Sequence, residues 1–181
     1  TLTGSVDNGG NLLSFATNTG NITESGIISG AGGLTKTGSG TLTLSGANTY
    51  AGATAVDVGV LNVQNAQGTG TIAGGVTVAS GAALELPGGI TVGAETLTVN
   101  GSGIGGNGAL RNISGSNTWG GSVTLGSSAS IGGSGTLILA GAVDDIVPGT
   151  STLTQVGSGQ LTFSGTVGSG NALASIQTSV G

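Results

Sequence analysis

Short runs of alternating apolar and polar residues, each closed by glycine, serine or asparagine, recur from one end of this chain to the other. Examples are residues 41–44, 76–78, 97–99, 123–125 and 161–163. A period of two places leucine and valine on one face of a β-strand and threonine on the other, and the residues that follow permit tight corners. No segment keeps a helical period for a dozen residues. The pattern predicts an all-β chain of many short strands.

The side chains available for a core are small. Glycine occupies 41 of the 181 positions, aromatic residues make up 2%, and the aromatic side chains are Phe15, Tyr50, Trp119 and Phe163. Such residues fill a narrow tube, in which each turn is buried against the turns above and below, better than a thick sandwich or a helix bundle. The composition therefore favours a β-solenoid.

The charge composition excludes several classes of function. The net charge is −5 and the only cations are Lys36 and Arg111, whereas binding to nucleic acid needs clustered basic residues. No apolar run reaches the roughly 18 residues of a membrane span. We therefore predict no nucleic-acid partner and no membrane-spanning segment.

Catalysis also lacks its usual residues. The chain has no histidine and no cysteine, which rules out Ser-His-Asp and Cys-His arrangements. The carboxylates are scattered: Asp7, Glu24, Asp57, Glu85, Glu95, Asp144 and Asp145. We predict no catalytic residues, no bound cofactor and no enzyme activity, since a polysaccharide-active site would need carboxylates from flanking sequence.

Two pairs of segments resemble each other within the chain. Residues 34–46 match residues 153–165 at nine of thirteen positions, and residues 44–50 match residues 113–119. The second pair aligns Tyr50 with Trp119, which indicates a fixed place on the coil where an aromatic packs or, alternatively, binds a ligand. The predicted repeat positions are Leu34, Gly38, Gly40, Leu42, Leu44, Gly46, Asn48, Tyr50, Leu153, Leu161, Phe163 and Trp119.

The repeats set the expected dimensions of a single solenoid segment over residues 1–181. Coils of about 20 residues give eight or nine coils, and a spacing of ~4.8 Å gives a rod of roughly 40 Å. Neither end has the polar cap that a solenoid needs. We expect the rod to continue in both directions within a longer tandem array.

Residues 143–149 differ from the rest of the chain, because an acidic pair precedes a proline. They are interpreted as a loop that leaves the coil or interrupts strand pairing. Asp144 and Asp145 could bind Ca²⁺ together with nearby carbonyls, or simply be solvated. Lys36 and Arg111 are expected to neutralise a neighbouring acid or the negative charge of the surface. Asp57 is expected to point outward.

Outward threonine, serine and asparagine side chains would stack into ladders at the coil spacing. Such ladders could bond between coils, pack laterally against another copy or meet surface glycans. Ice binding is disfavoured because the threonines, Thr35 and Thr41 among them, are unevenly spaced.

Residues 32–52, GGLTKTGSGTLTLSGANTYAG, closely resemble the autotransporter-associated β-strand repeat, also called the passenger-associated transport repeat, and residues 53–63 resemble its continuation. The resemblance implies a right-handed parallel β-helix that is exported to the bacterial cell surface or the extracellular space. There such repeats form a stalk, a fibre or an adhesive surface.

The predicted function is that of a structural or adhesive rod, whose partners are neighbouring copies met end to end or laterally. The alternative is a passenger that acts as a glycan- or receptor-binding adhesin. The sequence leaves the secretion route open.

Overall fold

Nearly every alternating run in the sequence forms a short strand. The computed structural model describes residues 1–179. The strands are β1 (Val6–Asp7), β2 (Leu13–Ala16), β3 (Ile22–Glu24), β4 (Ile28–Ser29), β5 (Leu34–Thr37), β6 (Thr41–Leu44), β7 (Thr54–Val56), β8 (Val60–Val63), β9 (Val76–Val78), β10 (Ala83–Pro87), β11 (Thr91–Val92), β12 (Leu97–Gly101), β13 (Leu110–Ser114), β14 (Ser116–Trp119), β15 (Val123–Gly133), β16 (Thr136–Leu139), β17 (Val143–Asp145), β18 (Thr152–Val156), β19 (Gln160–Phe163) and β20 (Ser175–Ser179).

The strands wind into a solenoid of about eight turns with three faces. The first face stacks β2, β5, β7, β9, β12, the start of β15, and β17; the second stacks β3, β6, β8, β10, β13, the end of β15, β18 and β20. The third face holds β1 with β4, and then β11, β14, β16 and β19. We number the coils from β2, so that each coil begins on the first face.

All strand pairs named above are parallel, and their register places like residues above one another. On the second face Leu42 lies over Leu61, Leu61 over Leu84, and Leu84 over Leu110. All four side chains are fully buried. Burial of a leucine contributes roughly 1.5–3 kcal/mol, so stacked rows of this kind hold the coils together. The predicted all-β parallel solenoid is confirmed, with about eight coils.

Glycines at the corners allow the coils to approach closely. A Cβ atom on Gly46 would lie 2.0 Å from the backbone oxygen of Gly26 on the preceding coil. Gly38 has a φ of +77°, in the left-handed region that favours glycine. At these two corners the geometry therefore requires glycine.

The two copies of the longer internal repeat lie on different faces of the solenoid. Residues 34–46 run from the first face to the second, whereas residues 153–165 run from the second face to the third. The reason is that the offset of 119 residues is not a whole number of coils. The two copies of the shorter repeat lie at the same corner, since residues 44–50 and 113–119 both turn from the second face to the third.

Irregular segments leave the coil in few places. Between β12 and β13 lies a three-residue 3₁₀ helix, Ile104–Gly106. Within residues 1–179 no helix has the length and apolar character needed to cross a membrane.

Candidate functional site

The third face is interrupted in the second and third coils. Within the described residues, no strand lies on this face between β4 in the first coil and β11 in the fourth. Residues 66–69 and 72–74 form turns there instead. A cavity of about 490 Å³ opens at this interruption, and its lining comes from three consecutive coils. We call it the third-face cavity; its lining includes Asn48, Gln67, Thr71, Ile72, Thr91 and Glu95.

Buried polar groups beside this cavity form a chain of hydrogen bonds that crosses several coils. The Tyr50 hydroxyl lies 2.6 Å from Thr54 Oγ1, and Thr54 Oγ1 donates to the Thr69 carbonyl at 3.1 Å. Thr69 Oγ1 donates to Glu95 Oε2. Trp119 Nε1 then donates to the Glu95 carbonyl at 2.8 Å. The two aromatics aligned in the sequence are thus connected through polar residues.

Glu95 is the unusual member of this chain. It is only 2% exposed, and within residues 1–179 its Oε1 atom has no hydrogen-bond partner. Burial raises the pKa of Glu95 to about 7, and the hydrogen bond from Thr69 opposes that rise. Burial also raises the pKa of Tyr50; the hydrogen bond with Thr54 lowers it, and the charge of Glu95 raises it further. At neutral pH, Glu95 therefore holds its proton in a large share of molecules.

Two asparagines tie the corner before the third face to the neighbouring coil. Asn48 Oδ1 accepts a hydrogen bond from the Ile28 amide at 2.9 Å, and Asn117 Oδ1 accepts one from the Ile90 amide at 2.7 Å. Asn48 Nδ2 also donates to the Gly68 carbonyl at 2.7 Å on the next coil. Both asparagines are buried. The Asn-x-aromatic pattern of residues 48–50 and 117–119 therefore has the same structural role in both coils.

Lys36 does not neutralise an acid or lie at the surface, so that expectation is wrong. Its side chain is fully buried, and its Nζ donates to the carbonyls of Thr37 at 3.0 Å, Gly38 at 2.7 Å and Val58 at 2.9 Å. Burial lowers the pKa of Lys36. The alternation of β5 explains the location, because Lys36 lies on the same side of the strand as Leu34.

Arg111 does pair with an acid. Its Nη1 lies 2.7 Å from Glu85 Oε1, and the strand register places Arg111 directly beside Glu85 on the neighbouring coil. Both side chains are partly exposed, so the pair contributes little to stability.

Val143, Asp144 and Asp145 belong to β17 and pair regularly with β15, so the loop predicted over residues 143–149 covers only its second part. The loop begins at Ile146. Asp145 is buried and accepts hydrogen bonds from the amides of Val147, Thr150 and Ser151 and from two hydroxyls. Asp144 Oδ1 instead accepts bonds from the amides of Gly170 and Asn171.

These bonds affect both the acidity of Asp145 and its availability as a ligand. Desolvation raises its pKa, but the hydrogen bonds from Ser151, Thr150 and Val147 outweigh that effect and hold it at about 2. Across residues 1–179 no group of three or more histidine, cysteine, aspartate or glutamate side chains could hold a metal ion. Calcium binding at Asp144 and Asp145 stays a prediction, and the Asp145 carboxylate is already used by the chain itself.

The predicted repeat positions divide between the core and the corners. Fully buried are Leu34, Leu42, Leu44, Tyr50, Trp119 and Leu153, with Asn48 at 1% exposure, whereas Leu161 and Phe163 are half-buried. Gly38, Gly40 and Gly46 lie at corners.

Sequence reasoning missed the buried acid and its partners. Glu95 stands alone between β11 and β12, and Thr69 lies in a turn, so neither belongs to an alternating run. Thr54 carries a signal that could have been used: the register places it over Leu34 in an inward row. Threonine side chains therefore point inward as well as outward.

Comparison with known proteins gives one match. Residues 34–63 match the family described as Passenger-associated-transport-repeat. The matched segment runs from β5 to β8, which is one complete coil and two faces of the next. No curated protein and no solved structure matches the chain.

Proposed function

We propose that this chain, whose residues 34–63 are a passenger-associated transport repeat, is a rod-forming segment of an autotransporter passenger and serves as a structural element at the bacterial surface. The observation that carries the proposal is the unbroken stacking of the first face. There seven strands follow one another in parallel register from β2 to β17.

A solenoid of this kind resists bending and extension. Its backbone hydrogen bonds run from coil to coil along the axis, and each coil contacts only its neighbours. The buried rows of leucine and valine continue through the same coils. The mechanical function therefore needs no special residue, only the continuity of the stack.

The same architecture suits export in an unfolded state followed by folding outside. Each new coil completes its hydrogen bonds against the preceding one, as the bond from the Ile28 amide to Asn48 illustrates. Folding can then advance coil by coil. The absence of cysteine means that no disulfide has to form on the way.

Surface display of the complete parent protein tests this proposal. Leu42 is fully buried in β6, and its neighbour Thr43 lies on the outward side of the same strand. We expect Leu42→Asp to reduce the amount of protein that added protease can digest on intact cells, because an unpaired buried charge disrupts the stack. Thr43→Asp adds the same charge and should leave display unchanged.

Two results would overturn the proposal. One is that the wild-type parent resists protease on intact cells but is digested after lysis, which would place it inside the cell. The other is normal display of a Leu42→Asp parent whose purified protein is shown by circular dichroism to be unfolded.

A further inference from the structure

The third-face cavity combines the size of a ligand site with a distinctive set of polar groups. Ligand pockets commonly enclose roughly 300–1,000 Å³, and this cavity of about 490 Å³ lies within that range. Its lining within residues 1–179 offers hydroxyl, amide and carboxyl groups, and neither Lys36 nor Arg111 contributes. An anionic ligand would find no counter-charge there.

Two buried oxygens of the lining residues have no hydrogen-bond partner among residues 1–179. They are Glu95 Oε1 and Thr71 Oγ1, and both are shielded from solvent. Buried polar atoms in folded proteins nearly always have a hydrogen-bond partner, so two such atoms at one cavity need an explanation. Because neither oxygen is open to solvent, the Thr71 and Glu95 side chains would have to turn toward a bound ligand, whose hydroxyl groups would then supply the missing bonds.

The state of Glu95 favours a neutral ligand. Because burial raises its pKa to about 7, the carboxyl group can donate as well as accept a hydrogen bond at neutral pH. The group that donates a hydrogen bond to this carboxyl group is the Thr69 hydroxyl, which carries no charge. A hydroxyl group, which also donates and accepts, is the matching partner.

The rim adds contacts for a ring with both polar and apolar sides. Thr49, Gln67 and Thr91 are exposed and provide hydroxyl and amide groups, while the Ile72 side chain is 63% exposed and offers an apolar surface. A pyranose ring presents hydroxyls at its edge and C–H groups on its face. We infer that the third-face cavity binds a neutral pyranose unit of a glycan, with Thr71 and Glu95 as its buried hydrogen-bonding residues.

Binding can be measured by saturation-transfer NMR on the folded chain. The ligands are the methyl pyranosides of glucose, galactose, mannose and N-acetylglucosamine, and a glycan array distinguishes a free sugar from a unit within a chain. We expect at least one of them to bind in the millimolar range, as is usual for so small a ligand. Methylammonium serves as the cationic comparison.

Three variants locate the site, with a matched control. Thr71→Val removes a hydroxyl that has no partner, and so it should fold, yet it should weaken binding about tenfold by leaving a ligand hydroxyl unpaired. Glu95→Leu, which removes both hydrogen-bonding oxygens, and the cavity-filling Ala66→Leu should weaken it as well. Thr77→Val makes the same change as Thr71→Val at an exposed position of β9 and should have no effect.

The inference is overturned if the folded wild-type chain binds none of these sugars and no glycan on the array. It is also overturned if binding survives both Ala66→Leu and Thr71→Val, or if methylammonium alone binds. These outcomes leave the rod function untouched, because surface display does not depend on a ligand.

Discussion

The indole of Trp119 donates a 2.8 Å hydrogen bond to the backbone carbonyl of Glu95, so the aromatic that ends β14 holds the buried acid of the neighbouring coil in place. Tyr50 occupies the equivalent position three coils earlier, but its hydroxyl bonds to Thr54 instead. The same corner thus uses an aromatic with a polar end twice, and each time that end satisfies a buried group of another segment.

Trp119→Phe should reveal the energetic value of this bond. The change keeps an aromatic ring but deprives a buried carbonyl of its donor, and we expect the free energy of unfolding to fall by about 1–3 kcal/mol. Tyr50→Phe is the matched control. Its loss should be smaller, because Thr54 keeps its own bond to the Thr69 carbonyl. Urea denaturation followed by circular dichroism measures both, and equal stability of Trp119→Phe and wild type would contradict the expectation.

Burial differs between two leucines that the sequence pattern treats alike. Leu42 is fully buried on the second face, whereas Leu161 is half-buried on the third. We expect Leu42→Ala to cost about 2–5 kcal/mol, and Leu161→Ala clearly less, because less apolar surface loses its cover. Thermal denaturation of the two variants checks this order, and a larger loss for Leu161→Ala would reverse the assignment.

Much of the fold was predictable from the period of two and the glycine-bounded corners. Alternation in residues 41–44 correctly placed Leu42 and Leu44 inward, and the small residues correctly indicated a thin core. The face on which each strand lies was harder to predict. Coils differ in length, as the steps from Leu34 to Thr54 and from Leu97 to Val123 show, so a repeat offset does not identify a face.

The candidate site was not predictable, for two physical reasons. Glu95 lies in a corner, where side-chain direction follows the local backbone instead of a period. For Lys36 and Asp145, charge favours an exposed position, whereas both lie in the inward row of the first face that also contains Val56. Their burial is possible because backbone groups of the corners provide the hydrogen bonds.

Lys36 should be protected from chemical modification in the folded chain. It is the only lysine, its amine is fully buried, and it makes three hydrogen bonds to carbonyls. We expect an amine-reactive ester to label Lys36 only as fast as the folded chain opens, and much faster once urea has unfolded it. Mass spectrometry of the peptide that contains Lys36 follows the reaction. Equal labelling rates with and without urea would show that Lys36 is accessible.

Asp145 should make the chain sensitive to acid. Its pKa is about 2 in the folded chain against an ordinary 3.8, so its contribution to stability is complete above pH 3.8 and is lost as the pH falls through about 2. Asp145→Asn should remove this part of the pH dependence. Thermal melting between pH 2 and pH 5 compares the two proteins, and Asp144→Asn is the neighbouring control. Parallel curves for wild type and Asp145→Asn would contradict the assignment.

Glu95 should act in the opposite sense at a higher pH. Its pKa is about 7 when folded and 4.5 ordinarily, so between these values the folded chain holds a proton that the unfolded chain has released. Stability should therefore fall as the pH rises from about 4.5 to 7, by on the order of 2–3 kcal/mol at about 1.4 kcal/mol per pH unit. Glu95→Gln should be flat over this range relative to wild type. Urea denaturation at a series of pH values gives the difference between the two proteins, in which the other carboxyl groups cancel. A constant difference would mean that Glu95 is ionised in the folded chain at acidic pH, and that its buried oxygens find partners there.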